Sequence, residues 1–292
     1  MAQAKCGVQL KMKALIQVCL NTSAPRVVAQ TTTAPAISNH EGNKNMMSIV
    51  SLREVSKNYR LGKVLVRALQ EVSLDIEEGE FLAIAGPSGS GKTTILNLIG
   101  CVDTPSTGTV LVDGSDVGKL DDARLTRLRL NTIGFVFQSF NLVGVLDVFR
   151  NVELPLLLQQ RLRKSDRTAR VRDLLARVGL SRFARHRPSE LSGGQRQRVA
   201  IARALVTGPK LILADEPTAN LDSATGQTII DLMKEINRTQ GTTFVFSTHD
   251  VRVMSHASHV IRLADGSLEP ETRAVQRTSR FASEHLIQGG VQ

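Results

Sequence analysis

One stretch of the sequence decides the fold: Gly86-Pro87-Ser88-Gly89-Ser90-Gly91-Lys92-Thr93. It follows a short apolar run, Phe81–Ala85, and precedes a helical apolar pattern over 92–99. This arrangement matches G-x-x-x-x-G-K-[ST], in which a glycine-rich loop leads from a strand into a helix and binds phosphate. Backbone N–H groups and the positive end of the helix dipole are expected to hold the phosphate oxygens. We expect Lys92 to reach the β- and γ-phosphates and the Thr93 hydroxyl to bind Mg²⁺, with Thr94 also in the nucleotide site.

A second apolar run, 211–214, ends in the two acidic residues Asp215 and Glu216. Asp215, at the end of this strand, is expected to hold Mg²⁺ directly or through water. Glu216, one residue further, is the candidate for orienting or deprotonating the attacking water. Together with the phosphate loop, these acids predict hydrolysis of a bound nucleotide.

Strand-like and helix-like patterns alternate along the chain after residue 47. Strand patterns begin at Ser48 and recur at 108–113 and 242–247, while apolar residues at helical spacing over 171–178 end at Gly179. Such alternation predicts an α/β fold in which a mostly parallel sheet carries helices on both faces.

The composition limits the classes of function that the chain can have. The net charge of +10 invites a nucleic-acid interpretation, but nine Phe, one Tyr and no Trp offer few surfaces for stacking bases. Part of the basic excess lies between Arg161 and Arg187, where a solvated face, a docking surface and contact with anionic lipid all remain open.

No apolar run approaches the roughly 18–20 residues that cross a bilayer, so a membrane role needs a partner or surface contact. The three cysteines show neither disulfide nor metal-ligand spacing, and a reducing cytosol fits them.

The pattern divides the chain into a leader at 1–47, one ATPase domain at 48–270 and a polar tail at 271–292. The leader is a poor secretory signal, because its apolar stretch at 14–20 is short and contains Gln17. An organelle transit peptide stays open, but we expect an upstream-start extension, with Met46 or Met47 as the natural beginning.

A segment upstream of the acidic strand resembles the signature sequence of ATP-binding cassette (ABC) ATPases: Leu191-Ser192-Gly193-Gly194-Gln195. Other motifs stand in the order of that family: Tyr59 at the adenine-stacking aromatic, Gln138 in Phe137-Gln138-Ser139 at the Q-loop, Asp222 in Ala219-Asn220-Leu221-Asp222 at the D-loop, and His249 in Ser247-Thr248-His249-Asp250 at the switch histidine. The resemblance covers about residues 48–270 and implies a P-loop NTPase core with an antiparallel β lobe and an α-helical lobe.

The resemblance also implies the roles of these residues. Glu216, His249 and Gln138 would be catalytic, Gln138 would join Thr93 and Asp215 as a metal ligand, and the cofactors would be ATP and Mg²⁺. Two chains would hold two ATP molecules head to tail.

In that sandwich the signature of one chain faces the phosphate loop of the other. The second chain would thus add Ser192, Gly193, Gly194, Gln195 and Asp222 to the nucleotide site. A helix expected to begin near Gln195 would direct its N-terminus at the phosphates. Hydrolysis would then open the pair, and the Q-loop lobe would pass the movement to a separate integral membrane permease.

Softer stretches resemble the LolD/MacB group, which powers lipoprotein release and export: 68–74, 96–100, 137–142 and 151–155. Ala219, Gly144 and Arg150 depart from residues common in that group. The last two lie in the lobe expected to meet the permease, so the resemblance leaves partner and cargo open.

Competing functions are weighed by what each one requires. Chromosome and repair ATPases of this family need a long coiled coil between Gln138 and Leu191, where only about 50 residues stand without sustained heptads. We therefore expect no nucleic-acid partner. A translation factor of this family would need two ATPase cassettes, and this chain has one. A regulatory subunit of the cell-division FtsE kind, which controls a periplasmic hydrolase, remains an alternative. The expected location is the cytoplasmic face of the bacterial inner membrane, as a peripheral subunit.

Overall fold

The structure is a computed structural model that describes residues 48–62 and 64–269, without the side chain of Leu61. The predicted leader and polar tail lie outside these ranges, so both remain predictions. No helix in the described ranges is long and apolar enough to cross a membrane.

Strands in the described part of the chain form two sheets. They are β1 (Ser48–Leu61), β2 (Val64–Glu77), β3 (Phe81–Ala85), β4 (Thr107–Val112), β5 (Ser115–Asp116), β6 (Ile133–Phe137), β7 (Leu211–Asp215), β8 (Thr243–Thr248), β9 (His259–Ala264) and β10 (Ser267–Leu268). One sheet is antiparallel, in the order β2-β1-β4-β5. The other has the order β10-β9-β3-β8-β7-β6, with only the β10–β9 pair antiparallel.

The helices of the described ranges are α1 (Lys92–Ile99), α2 (Asp122–Thr132), α3 (Val148–Gln159), α4 (Lys164–Arg177), α5 (Gly193–Leu205), α6 (Ser223–Gln240) and α7 (Val251–His256). Short 3₁₀ turns cover Val117–Lys119, Ser181–Phe183 and Pro188–Glu190. Five helices start where a side-chain oxygen accepts a hydrogen bond from an N–H of the first turn, and these caps are Asp121, Asp147, Ser192, Asp222 and Asp250.

The parallel sheet is covered on both faces because its strands alternate their side chains. Leu213 of β7 and Val245 of β8 pack in one cluster with the buried face of α1 and with the antiparallel sheet. Ile212 and Phe244, their neighbours along the same strands, pack in a second cluster with α3, α4, α5 and α6. The predicted α/β fold, with its antiparallel β lobe and its helical lobe, is therefore confirmed.

The parallel pairing places several strand ends at one edge of the sheet. Ala85, the last residue of β3, pairs with Thr248 of β8, and Asp215 of β7 pairs with Ser247. The phosphate-loop sequence leaves the sheet at this edge, beside the two predicted acidic residues. The strands predicted at 81–85, 108–113, 211–214 and 242–247 match β3, β4, β7 and β8 to within a residue, whereas β1 continues well past the pattern that begins at Ser48. The helix after the signature begins at Gly193. The expectation of a start near Gln195 is wrong, because Ser192 already caps the helix.

Candidate nucleotide-binding site

The phosphate-loop sequence runs from the end of β3 into α1. The Lys92 ammonium is buried and donates hydrogen bonds to the carbonyl oxygens of Gly86 at 2.7 Å and Pro87 at 2.8 Å. The lysine head therefore lies over the loop that the sequence predicts to surround a phosphate. Because Gly91 precedes α1 directly, the free N–H groups of the first helical turn face the same region.

Two glycines of the loop are required by the fold around them. A Cβ on Gly86 would lie 2.1 Å from the Leu263 carbonyl oxygen, and one on Gly91 would lie 2.6 Å from the Ala68 carbonyl oxygen. Both also have positive φ angles, of 154° and 106°. The loop is thus packed against β9 and β2, which fixes its backbone.

The loop offers polar groups that fit a phosphate. The hydroxyl of Ser90 is buried and has no hydrogen-bond partner in the described part of the chain. Buried polar groups in folded proteins are nearly always paired, so an unpaired hydroxyl beside a lysine ammonium fits an anionic ligand at this point. Ser88 and Gly89 are exposed on the same loop, and Gly89 has a positive φ of 88°.

A pair of oxygen ligands lies beside the loop. The Thr93 hydroxyl is 3.4 Å from Asp215 Oδ2, and the Ser247 hydroxyl donates to Asp215 Oδ1. Hydroxyl and carboxylate oxygens suit Mg²⁺, which takes one or two protein carboxylates and completes its shell with phosphates and water. Consistent with so sparse a set, the described residues contain no cluster of three His, Cys, Asp or Glu side chains suited to a metal. Thr93 and Asp215 therefore fit the predicted metal site.

Glu216 and His249 form a direct contact at the same edge. His249 Nδ1 lies 2.7 Å from Glu216 Oε1, with the histidine side chain 71% exposed and the glutamate 16% exposed. The Glu216 backbone has a positive φ of 49°, and its N–H donates to the Ser247 carbonyl oxygen at 2.9 Å. A constrained carboxylate next to a histidine is an arrangement that could position a water molecule.

Tyr59, predicted to stack on adenine, is half-buried and belongs to a polar cluster. Its hydroxyl donates to Asp103 Oδ2 at 2.9 Å, and Lys57 Nζ donates to Asp103 Oδ1 at 2.6 Å and lies 5.1 Å from the Tyr59 ring centroid. Burial and the neighbouring Asp103 carboxylate raise the pKa of Tyr59 well above its usual value. Burial opposes ionisation of Asp103, but hydrogen bonds from Lys57, the Thr104 N–H and Tyr59 outweigh it and lower the pKa of that carboxyl. A hydrogen bond from Thr94 partly offsets the rise at Tyr59 and connects the cluster to α1.

The Q-loop and D-loop residues meet each other. The side-chain amide of Asn220 donates to the Gln138 carbonyl oxygen at 2.8 Å. Asp222 caps α6 by accepting from the Thr225 N–H at 2.9 Å, and its hydrogen bonds from Thr225 hold the pKa of the Asp222 carboxyl below its usual range.

The signature residues lie against the same segment. The Ser192 hydroxyl accepts from the Gln195 N–H at 3.3 Å, while Gln195 Oε1 accepts from the Ser192 N–H at 2.9 Å, a reciprocal cap of α5. A Cβ on Gly194 would lie 2.4 Å from the Thr225 methyl carbon, and one on Gly193 would lie 3.4 Å from Leu221. The contacts of the signature are thus with the start of α6, whereas Thr93, Asp215, Glu216 and His249 gather at the sheet edge.

The sequence motifs give no role to the side chains of Ser247, Asp103 or Asn220. Ser247 belongs to the histidine motif, and the ends of two neighbouring strands are the signal that pairs it with Asp215. Asp103 lies just after α1 and is 44 residues along the chain from Tyr59, so no local sequence pattern links the two residues.

The fold and this arrangement define a class of proteins, the P-loop ATPases with a signature helix. The sequence profile described as ABC transporter matches residues 69–219. This chain belongs to the ABC transporter ATP-binding family.

Individual relatives carry names from the same family. An uncharacterised ABC transporter ATP-binding protein of Methanocaldococcus jannaschii, MJ0796, is 48% identical over 228 residues, covering 77% of this chain and 97% of that protein. The macrolide export ATP-binding/permease protein MacB of Syntrophobacter fumaroxidans is 44% identical over 231 residues, or 78% of this chain and 32% of that longer protein. The predicted resemblance to the MacB-like group is confirmed.

Solved structures give the same result. A dimeric post-hydrolysis state of the MJ0796 cassette, bound to ADP and Pi, matches with a TM-score of 0.71 and 48% identity. The match covers 75% of this chain and 96% of that one.

Proposed function

We propose that this protein binds MgATP, hydrolyses it, and thereby powers a separate integral membrane permease for export or lipoprotein release. The observation that carries the proposal is the gathering of Thr93, Asp215, Glu216 and His249 at the sheet edge where the Lys92 loop begins. Membership of the family supports ATP binding and hydrolysis. The MacB relatives and the dimeric cassettes support a membrane partner and a dimer.

The residues divide the chemistry among them. Lys92 and the N–H groups at the start of α1 bind the β- and γ-phosphates of ATP and hold them against the sheet edge. Thr93, Asp215 and the side chain of Gln138 would hold Mg²⁺, and the bound ion would supply positive charge against the phosphate oxygens. Glu216 orients the attacking water and accepts its proton, and His249 fixes the Glu216 carboxylate through their 2.7 Å contact. Tyr59 provides the surface for adenine.

The second nucleotide contact comes from another copy of the chain, arranged head to tail. Ser192 and the N–H groups at the start of α5 provide a helix N-terminus suited to phosphate, and α5 is long enough to carry that dipole. Within one chain the signature contacts α6 instead, which leaves its phosphate-binding role to a partner chain.

A mixing experiment tests both hydrolysis and the head-to-tail arrangement. Lys92→Ala and Ser192→Arg each damage every site of a homodimer, so each protein alone should release phosphate from MgATP at a small fraction of the wild-type rate. A mixed dimer has one site with both changes and one with neither, so the mixture should recover activity. Circular dichroism of both variants checks the fold, and failure to recover any activity would contradict the shared sites.

The path of the chain supports a permease contact at the helical lobe. Residues 140–187 join the Q-loop to the signature and carry α3 and α4, so a movement at either end passes through them. Such a subunit works at the cytoplasmic face of the inner membrane as a peripheral protein. The cell-division alternative uses the same nucleotide chemistry, and the identity of the membrane protein beside this lobe distinguishes the two.

A further inference from the structure

The chain makes a turn directly after β6, over residues 138–141, here named the Q-loop segment. Gln138 follows the residue of β6 that pairs with Asp215 in the parallel sheet, so its backbone lies at the edge where β7 ends. The Gln138 side chain is exposed there. Phe140 and Asn141 have left-handed φ angles of 60° and 46°, although neither is glycine. A bulky residue is strained in this region, so contacts from outside the segment are needed to hold it.

One guanidinium group holds the end of the Q-loop segment. Arg203, in the last turn of α5, donates from Nη1 to the Asn141 carbonyl oxygen at 2.5 Å and from Nη2 to the Phe140 carbonyl oxygen at 2.9 Å. The left-handed turn aims these two successive oxygens at the two nitrogens of one planar group, a match that the point charge of a lysine makes less well. The shape of the segment is therefore matched to an arginine at this position.

Two further contacts fix the same segment. The Arg196 guanidinium carbon lies 5.2 Å from the centroid of the Phe140 ring. Arg196 and Arg203 are seven residues apart and so share one face of α5, which holds both the ring and the carbonyl group of Phe140. At the other end of the segment, the Asn220 amide donates to the Gln138 carbonyl oxygen at 2.8 Å. The backbone on both sides of the turn is thus held by other parts of the chain.

The charge of Arg203 lies where water solvates it poorly. Burial lowers the pKa of the Arg203 guanidinium to about 10, so the group stays charged at neutral pH. No carboxylate forms an ion pair with it within residues 48–62 and 64–269, whereas Arg167 is paired with Glu153 at 2.7 Å. Withdrawing an unpaired charge from water costs free energy that an apolar side chain of similar length would not lose. Because the hydrogen bonds of this group go to the two carbonyl oxygens, its contribution lies at the Q-loop segment.

We propose that Arg203 is a positioning residue, which sets the Q-loop segment so that the Gln138 side chain reaches the Mg²⁺ site, an inference that rests on the proposed function. Thr93 and Asp215 provide two oxygen ligands, and the third comes from an exposed side chain on a strained turn. Groups that orient a metal ligand raise the affinity for the metal, because a side chain already in place need not be ordered on binding. Removing the two bonds of Arg203 should therefore weaken the metal site without changing any ligand.

Binding of Mn²⁺ tests the inference apart from catalysis. Free Mn²⁺ is measured by electron paramagnetic resonance, with the full-length protein in excess over AMP-PNP, a non-hydrolysable ATP analogue. Arg203→Met keeps the length of the side chain but removes both donors, and it should raise the Kd of Mn²⁺ by about 10-fold. Gln138→Ala should have a similar effect. The double variant should bind Mn²⁺ no more weakly than Gln138→Ala alone, because both changes then remove the same ligand.

Two further variants separate positioning from folding. Arg203→Lys keeps a charged donor, so its Kd for Mn²⁺ should lie between those of the unchanged protein and Arg203→Met, and it provides the test if Arg203→Met fails to fold. Arg198→Met is the matched control, because Arg198 on the same helix donates to the Val178 carbonyl oxygen at 3.1 Å, outside the Q-loop segment. Its urea midpoint should fall, while its Kd for Mn²⁺ should equal that of the unchanged protein.

The outcomes distinguish this inference from the proposed function. An unchanged Kd for Mn²⁺ in the Arg203 variants would make Arg203 a purely structural residue and leave the ATPase standing. A double variant that binds Mn²⁺ clearly more weakly than Gln138→Ala would also overturn the inference, since Arg203 would then act on the metal by another route. If the unchanged protein with AMP-PNP bound Mn²⁺ no better than AMP-PNP alone, the proposed function would fail and this inference with it.

Discussion

The hydroxyl of Tyr59 donates a 2.9 Å hydrogen bond to the Asp103 carboxylate, which also accepts from Lys57 Nζ. Tyr59 lies on β1, while Asp103 follows α1, the helix that starts at the phosphate loop. The proposed adenine surface is thereby tied to the element that would hold the phosphates. Losing this bond should free the ring and loosen one contact between the antiparallel sheet and the segment that follows α1.

Titration of the single tyrosine tests this bond directly. Because the chain has one Tyr and no Trp, tyrosinate absorbance reports Tyr59 alone. Burial and Asp103 raise its pKa, so the folded protein should ionise it at a higher pH than the usual value of about 10. Asp103→Asn should bring the pKa of Tyr59 down toward that value. A titration curve unchanged by this substitution would remove Asp103 as a cause.

The same raised pKa makes stability depend on pH at the alkaline side. A group whose pKa is raised by folding adds stability that is complete below its unfolded pKa and is lost as the pH rises through the folded pKa. The free energy of unfolding should therefore fall as the pH rises above about 10. Tyr59→Phe should flatten this fall in denaturant titrations at matched pH values, compared with the unchanged protein.

The leader should be dispensable for nucleotide chemistry. The antiparallel sheet begins at Ser48, and Val50 and Leu52 of the same strand are already fully buried. A protein that begins at Met47 should keep the unfolding midpoint and the ATPase rate of the full chain. A large drop in either would show that residues 1–45 contribute to the described domain.

The fold was predictable from sequence wherever the pattern is local. Short apolar runs ended by glycine or acid gave β3 and β7, because a strand buried on both faces needs such a run. The start of α5 was misplaced by two residues because Gly193 and Gly194 are poor helix formers in isolation. Their packing against Leu221 and Thr225, together with the Ser192 cap, overrides that preference.

The candidate site was predictable as a set of residues but not as a set of contacts. The motifs named Glu216 and His249, yet their 2.7 Å contact depends on the neighbouring ends of β7 and β8. Asp103 carries no motif of its own, since its partners Lys57 and Tyr59 are brought near only by the fold.

Glu216→Gln should separate binding from hydrolysis. The amide keeps the shape of the side chain but accepts no proton, so the rate of phosphate release should fall by about 10²–10⁴-fold. Nucleotide affinity should stay near the wild-type value, because Lys92 and the loop are unchanged, and the ATP-bound dimer should accumulate in size-exclusion chromatography. Lys92→Ala should instead weaken nucleotide binding itself.

Glu235→Gln, on the exposed face of α6, is the matched control and should hydrolyse ATP normally. Near-normal turnover by Glu216→Gln would exclude that residue as the group that activates water.

Gly134 of β6 should tolerate no side chain, since α5 crosses the sheet closely there. A Cβ on Gly134 would lie 2.4 Å from the Ala204 carbonyl oxygen and 2.5 Å from Ile212 Cδ1, and the backbone oxygen cannot rotate away. Gly134→Ala should lower the free energy of unfolding by roughly 1–3 kcal/mol, the range for an overpacked core. Gly144→Ala is the matched control, because nothing lies within 4 Å of its Cβ position, and its effect should stay within about 0.5 kcal/mol. Urea midpoints with unchanged slopes measure both. Equal stability of the two variants would contradict the close approach of α5 to β6.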